Sequence, residues 1–126
     1  MMSETVRSDL LVSALEDDNG GPCAVVSLAG RAGIGDGAWL RLLLERQGHG
    51  HIVVDLSRLS SMDWWVALIL VWTGRVVSRR GGVLMLAAPQ PAVMRLLNAA
   101  GAPKAVTICA SVQQARRRAG APAGSV

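Results

Sequence analysis

The chain has 126 residues, enough for one domain that buries about two thirds of its unfolded surface. Its hydrophobic content of 51% excludes a disordered chain, and its net charge of +4 does not require a nucleic acid partner. The first nine residues lack the apolar run of a secretory signal, and the longest uncharged apolar run, 64–72, is about half of the ~20 residues that a membrane span needs. We therefore expect a soluble, cytoplasmic protein without membrane insertion.

The predicted elements follow the order β-β-α-β-α-β-α-β-α, because β-branched apolar runs alternate with segments of helical apolar spacing. The predicted strands are 10–15, 24–28, 51–55, 83–87 and 106–109. The predicted helices are 38–47, 64–80, 91–99 and 112–118. We expect one domain at residues 9–118, with a frayed N-terminus at 1–8 and a flexible tail at 119–126.

The first two strands are predicted to form an antiparallel hairpin, with 10–15 as the edge strand. The evidence is the turn signal Asn19-Gly20 between them. The third strand, 51–55, ends at Asp55 and leads into a polar turn at 57–61. Asp63 then stands at the N-cap of the longest helix, where its carboxylate can accept amide hydrogens of the first turn. This alternation predicts a sheet covered by helices.

The ordered motifs resemble the STAS domain, the fold of bacterial anti-sigma factor antagonists, over residues 10–118. The resemblance begins with Val53-Val54-Asp55-Leu56-Ser57 and continues with Asp63 at the family's separation. It extends through 81–86, the proline-opened segment 91–97, Gly101 and Ser111 to Ala115. The resemblance implies an α/β fold with a mixed sheet of about five strands and helices packed mainly on one face. It also implies regulation by protein–protein binding without catalysis.

The family's regulatory serine is missing from this chain. In the family, Asp-Ser-Ser-Gly-Leu opens the second helix, and the partner kinase, itself the anti-sigma factor, phosphorylates the second serine. Here the matching residues are Trp64, Trp65 and Val66, so Trp65 stands at the acceptor position. Ser60 and Ser61 precede the cap and remain possible substitutes that the resemblance does not indicate. We expect partner binding that is not switched by phosphorylation at the usual position.

A helical wheel predicts a docking surface on the helix after Asp63. The wheel gives a core face of Val66, Ile69, Leu70, Thr73 and Val77, and an outer arc of Trp64, Ala67, Val71, Gly74, Arg75 and Ser78, with Trp65 and Leu68 beside it. Exposed apolar patches usually have a use, and tryptophan is a favoured interface anchor. The predicted partner-binding residues are Asp63, Trp64, Trp65, Leu68, Val71 and Arg75. In the alternative, both indoles fold over the glycine-rich loop as core.

The partner that the resemblance implies is a kinase-like anti-sigma factor or another STAS protein, and a homodimer is also open. A second reading is a STAS subunit of a lipid-transport or stress-signalling assembly. A third is a dinucleotide-binding protein, since 33–38 fits Gly-x-Gly-x-x-Ala and Asp55 follows about 20 residues later. The first glycine lies too far past the strand, however, and only one such unit is present.

Other candidate sites are weaker. His49 and His51 could form a metal pair on one side of a strand, but too few further ligands lie nearby in sequence. No serine has the histidine and orienting group of a nucleophilic triad. The short basic run 116–118 is typical of a solvated helix end. We therefore expect no enzyme activity, metal, cofactor or nucleic acid. The two cysteines are expected to be buried and reduced.

Overall fold

The structure is a computed structural model and describes residues 2–15, 23–47 and 50–120. The strands are β1 (Met2–Arg7), β2 (Leu10–Leu15), β3 (Ala24–Ala32), β4 (His51–Met62), β5 (Val83–Ala87) and β6 (Thr107–Cys109). The α-helices are α1 (Gly37–Glu45), α2 (Trp64–Arg79), α3 (Pro91–Ala99) and α4 (Val112–Gly120). Single 3-10 turns at Ile34–Asp36 and Ala102–Lys104 precede α1 and β6.

The six strands found in the described residues form one mixed sheet in sequential order. β1, β2 and β3 are antiparallel, and β3 to β6 are parallel. The α/β fold and the antiparallel pairing of β2 with β3 confirm the sequence-based predictions. The predicted turn at Asn19-Gly20 lies outside the described residues. His49 and residues 121–126 of the predicted tail also lie outside the described residues. The first two residues of that tail, Ala119 and Gly120, form the end of α4.

The prediction that residues 1–8 are frayed is wrong for Met2–Arg7, which pair with β2 along their whole length. β2 is therefore an inner strand rather than the predicted edge. Arg7 anchors β1 to the start of α1: its Nε donates to Oδ1 of Asp36 at 3.1 Å, and its guanidinium lies 4.9 Å from the ring centre of Trp39. The polar, exposed sequence of β1 carries no hydrophobic pattern, so this strand had no signal.

The prediction of a polar turn at 57–61 is also wrong, because β4 continues to Met62. Its pairing with β3 shifts register after Asp55, where the side-chain Oδ1 of Asp55 accepts a hydrogen bond from the amide of Ser57 at 3.0 Å. β5 ends opposite Asp55, so the rest of β4 has a strand on one side only. A strand that is open on one side tolerates polar residues, which explains why its composition resembles a turn.

The sheet is covered on both faces, with most of the helical mass on one of them. The larger apolar cluster joins the sheet to α1, α2 and α3, and its largest fully buried members include Leu28, Leu40, Leu56, Leu70 and Leu97. The smaller cluster lies under α4 on the other face and contains Cys23, Val25, Val53, Met85, Ala87, Cys109 and Ala115. This arrangement confirms the prediction that helices pack mainly on one face.

Candidate functional site: the exposed face of helix α2

Helix α2 begins as its sequence predicts. Asp63 is extended, and its Oδ1 accepts a hydrogen bond from the amide of Trp65 at 2.8 Å. The carboxylate therefore satisfies one of the free amides of the first turn and interacts favourably with the helix dipole. The role that the structure gives Asp63 is to fix the start of α2, which sets the direction of the two following indoles.

Both tryptophans at the head of α2 are substantially exposed, Trp64 by 45% and Trp65 by 48%. The alternative in which they are core is therefore wrong. Trp65 does rest on the start of α1: a Cβ atom added at Gly37 would lie 3.1 Å from its Cδ1 and 3.4 Å from its Nε1. One side of this indole packs against Gly37, and the exposed remainder is accessible to a binding partner.

Val71 does not belong to this surface, because its side chain is only 6% exposed. It shares one side of α2 with Ala67 and Gly74, which are spaced four and three residues from it and are also buried. On that side, a Cβ atom at Gly74 would lie 2.5 Å from Cγ1 of Val106 and 2.7 Å from the carbonyl oxygen of Ala105. The small residues therefore mark close packing against the segment before β6, and the predicted outer arc is displaced around the helix.

The displaced arc includes Trp72, which the helical wheel did not place on the predicted surface. Trp72 is 44% exposed, and the guanidinium of Arg41 on α1 lies 4.6 Å from its ring centre. Nε of Arg41 is 3.9 Å from a carboxylate oxygen of Glu45 and donates no hydrogen bond within the described chain. The seven-residue spacing between Trp65 and Trp72 is the signal that could have found it, since that spacing repeats one helix side.

One side of α2 forms a surface, which we call the indole face. Its exposed or half-buried residues are Trp64, Trp65, Leu68, Trp72, Arg75, Val76 and Arg79. Leu68 and Val76 are half-buried, and both arginines are exposed. The structure thus brings together five of the six predicted partner-binding residues, Asp63 as the cap and four on the face. No side chain of α2 is acidic, so the face combines apolar area with positive charge.

A polar cleft of about 380 Å³ lies beside the head of α2. Its charged groups are already engaged: Arg31 lies 3.6 Å from Asp9, and Oδ2 of Asp36 accepts the amide hydrogen of Gly33 at 2.8 Å. The amide of Gly33 is therefore already hydrogen-bonded to Asp36, whereas a dinucleotide pyrophosphate needs free backbone amides in this loop. The loop thus does not fit the dinucleotide-binding fingerprint that its sequence suggested. Among the residues with described positions, no cluster of potential metal ligands is found.

The two serines before the cap differ in their surroundings. The hydroxyl of Ser60 donates to the carbonyl oxygen of Gly30 at 2.9 Å, which occupies it in joining β4 to β3. Ser61 is exposed and lines the cleft beside Asp63. Neither lies on α2, where the family's acceptor serine is expected from the resemblance.

The comparisons with known proteins point to one family. The family model of the STAS domain matches residues 3–115. No curated protein sequence matches the chain. No helix within the described ranges is long and apolar enough to cross a membrane.

Three solved structures illustrate the likeness. An anti-sigma factor antagonist from Mycobacterium paratuberculosis is 21% identical, with a TM-score of 0.71 over 86% of this chain and 93% of that one. The anti-sigma factor antagonist SpoIIAA of Bacillus, in its unphosphorylated form, is 16% identical, with a TM-score of 0.63 over 94% and 95% of the two chains. A chain of the stressosome, a signal integration and transduction hub, is 20% identical, with a TM-score of 0.61 over 84% and 94%.

Proposed function

Because this chain belongs to the STAS domain family, we propose that it is an anti-sigma factor antagonist that acts by binding its partner through the indole face. The observation that carries the proposal is the exposure of three tryptophans, 44–48% each, along one side of the helix that follows Asp63. Burying such side chains yields about 1.5–3 kcal/mol each, and tryptophan is among the commonest interface anchors.

The proposed mechanism is sequestration. An anti-sigma factor occupied by this chain no longer holds its sigma factor, so transcription from that sigma factor's promoters rises. The position that carries the family's phospho-acceptor is Trp65, which has no hydroxyl. Binding is therefore set by the amounts of the proteins, or by control elsewhere, rather than by a phosphoryl group at that position. The proposal includes no catalysis. It places the chain in the cytoplasm, consistent with two buried cysteine thiols.

The test is affinity capture on the purified full chain, followed by competition between the chain and a sigma factor for each captured anti-sigma factor. The variant is Trp64→Asp with Trp65→Asp. Acidic residues in a first helical turn favour the helix, so far-UV circular dichroism should be unchanged. We expect at least about 30-fold weaker partner binding, the size of a hot-spot loss. The control is Val6→Asp, because Val6 is 74% exposed on the edge strand β1.

Retention of the partner by the double tryptophan variant would show that the indole face is not the contact. A second candidate, a subunit of a stress-signalling assembly, is favoured by the similarity to a stressosome chain. In that case capture retrieves other STAS proteins, and the complex has the mass of a large assembly rather than of a pair. The two functions are therefore separated by what is captured and by its size.

A further inference from the structure

The exposed residues of α2 follow the spacing of a helix that packs against another helix. Trp65, Leu68, Trp72, Arg75 and Arg79 are separated by three, four, three and four residues. Residues at this alternation lie on one stripe, which a second helix can follow along its length. With a rise of 1.5 Å per residue, the stripe is about 21 Å long, or two heptads. Each of its members is exposed or half-buried, so no helix within residues 2–15, 23–47 and 50–120 already covers it.

The stripe changes character along its length. Its N-terminal part is apolar, with Trp65, Leu68 and Trp72, whereas its C-terminal part presents Arg75 and Arg79. No carboxylate in the described part of the chain lies within ion-pair distance of either arginine. A complementary surface therefore has an apolar segment followed by a cluster of carboxylates.

The indoles on the stripe are held before any partner arrives. Trp65 rests on Gly37, and Trp72 lies under the guanidinium of Arg41. Side chains that are already fixed lose less rotamer entropy on binding, and this favours tight association with a partner.

We propose that the indole face binds one amphipathic α-helix of the partner protein. The apolar stripe of that helix lies on Trp65, Leu68 and Trp72, and its carboxylates pair with Arg75 and Arg79. Acidic residues are most favourable in the first turn of a helix, so the partner helix runs antiparallel to α2. This inference rests on the proposed function, since it specifies which kind of segment the partner presents.

A second copy of this chain fits the stripe less well. An antiparallel pair of α2 helices centred on Trp72 puts Arg75 and Arg79 of both copies into one interface without a carboxylate from either α2. Like charges placed together oppose association. The charge of the face therefore favours an acidic partner over self-association.

The experiment uses two synthetic 21-residue helical peptides as probes, each with a leucine stripe and no tryptophan. One carries glutamates beside the stripe in its N-terminal heptad, and the other carries lysines at the same positions. Binding to the full chain is followed by tryptophan fluorescence. We expect the glutamate peptide to bind at least about tenfold more tightly, as one strong charged pair provides. Arg75→Glu with Arg79→Glu should reverse the preference.

The matched control is Arg117→Glu with Arg118→Glu. This pair makes the same change in net charge at exposed positions of α4, on the other face of the sheet. The control variant should keep the preference for the glutamate peptide. The inference is overturned if both variants lose the preference for the glutamate peptide equally, if Arg75→Glu with Arg79→Glu does not reverse that preference, or if neither peptide binds the chain. A dimer in sedimentation analysis that Arg75→Glu with Arg79→Glu abolishes also overturns it, because the face then belongs to a second copy.

The same variants separate this inference from the proposed function. Suppose that an anti-sigma factor no longer binds the Trp64→Asp, Trp65→Asp variant but binds the Arg75→Glu, Arg79→Glu variant as tightly as the unmodified chain. This result supports the proposed function and contradicts the inference that the partner segment is an acidic helix. If the peptide preference is reversed but the chain does not compete with a sigma factor for any anti-sigma factor, the helix-binding face is supported and the proposed function is contradicted.

Discussion

Single residues decide which side of α2 is buried, and the small ones matter most. The wheel placed Ala67, Val71 and Gly74 outside because they share the arc of Arg75 and Ser78, opposite the most apolar arc. In the structure they are buried, since the absence of a side chain at Gly74 lets the backbone of Ala105 approach. Tryptophan at positions 65 and 72 remains outside. The distribution of apolar and charged residues therefore placed these three residues on the wrong side, because it does not report that Gly74 allows close backbone packing.

Gly74→Ala should destabilise the fold although alanine is the better helix former by about 1 kcal/mol. The new methyl group would meet Val106 and the carbonyl of Ala105 at distances that require the backbone to move. We expect a net loss of about 1–3 kcal/mol in the free energy of unfolding, measured by urea denaturation.

Gly35→Ala is the control, because no atom lies within 4 Å of a Cβ at that position. It should change the free energy of unfolding by no more than about 0.5 kcal/mol. Equal effects of the two substitutions would contradict the close packing inferred at Gly74.

At the scale of elements, β1 and β4 show where composition misleads. β1 is polar and exposed, and it is fixed by one arginine that reaches across to the start of α1. β4 continues past its apolar half because β3 supplies a hydrogen-bonding neighbour as far as Ala32. β4 past Asp55 depends on β3, about 30 residues earlier, and β1, although it pairs with the strand that directly follows it, is anchored by the remote Asp36. Hydrophobic periodicity reports neither of these remote contacts.

Arg7→Ala should weaken the attachment of β1. The side chain of Asp36 is 11% exposed, so removal of its guanidinium partner leaves a nearly buried carboxylate without its ion pair. We expect a loss of about 1–3 kcal/mol in the free energy of unfolding. Arg31→Ala provides the comparison, because both members of the Arg31–Asp9 pair are about two-thirds exposed.

Exposed pairs contribute about 0–1 kcal/mol, so Arg31→Ala should have little effect. Hydrogen exchange should show faster exchange of the β1 amides in the Arg7 variant alone. Unchanged protection there would mean that backbone pairing with β2 is sufficient.

At the scale of the whole molecule, the sheet needs a second cover, which α4 provides over the smaller apolar cluster. Cys109 is buried there, and burial raises the pKa of its thiol, although the charge of Arg118 partly opposes the shift. The thiol stays protonated in the folded chain at a pH where the unfolded chain has lost that proton. The stabilisation that the buried Cys109 thiol contributes is therefore complete below the usual thiol pKa, and it is lost as the pH rises through the raised pKa of the folded chain.

The urea concentration at the midpoint of unfolding should therefore decrease as the pH is raised from about 8 to about 10, the range in which thiols titrate. The chain is suited to this measurement because it contains no tyrosine. Cys109→Ala should reduce the slope of midpoint against pH. An identical slope in both proteins would show that the titration of Cys109 is not linked to folding.

The sequence by itself determined the parts that depend on local chemistry. Apolar runs defined five of the six described strands, and the Asp63 cap and Pro91 defined the starts of α2 and α3. The ordered motifs indicated the STAS fold that the family match then established. Only the tertiary structure decided the length of β4, the presence of β1 and the orientation of α2 that exposes Trp72 and buries Val71. The physical reason is the same in each case: these features depend on neighbours that the fold supplies, and a residue's own hydrophobicity does not encode which neighbour it will have.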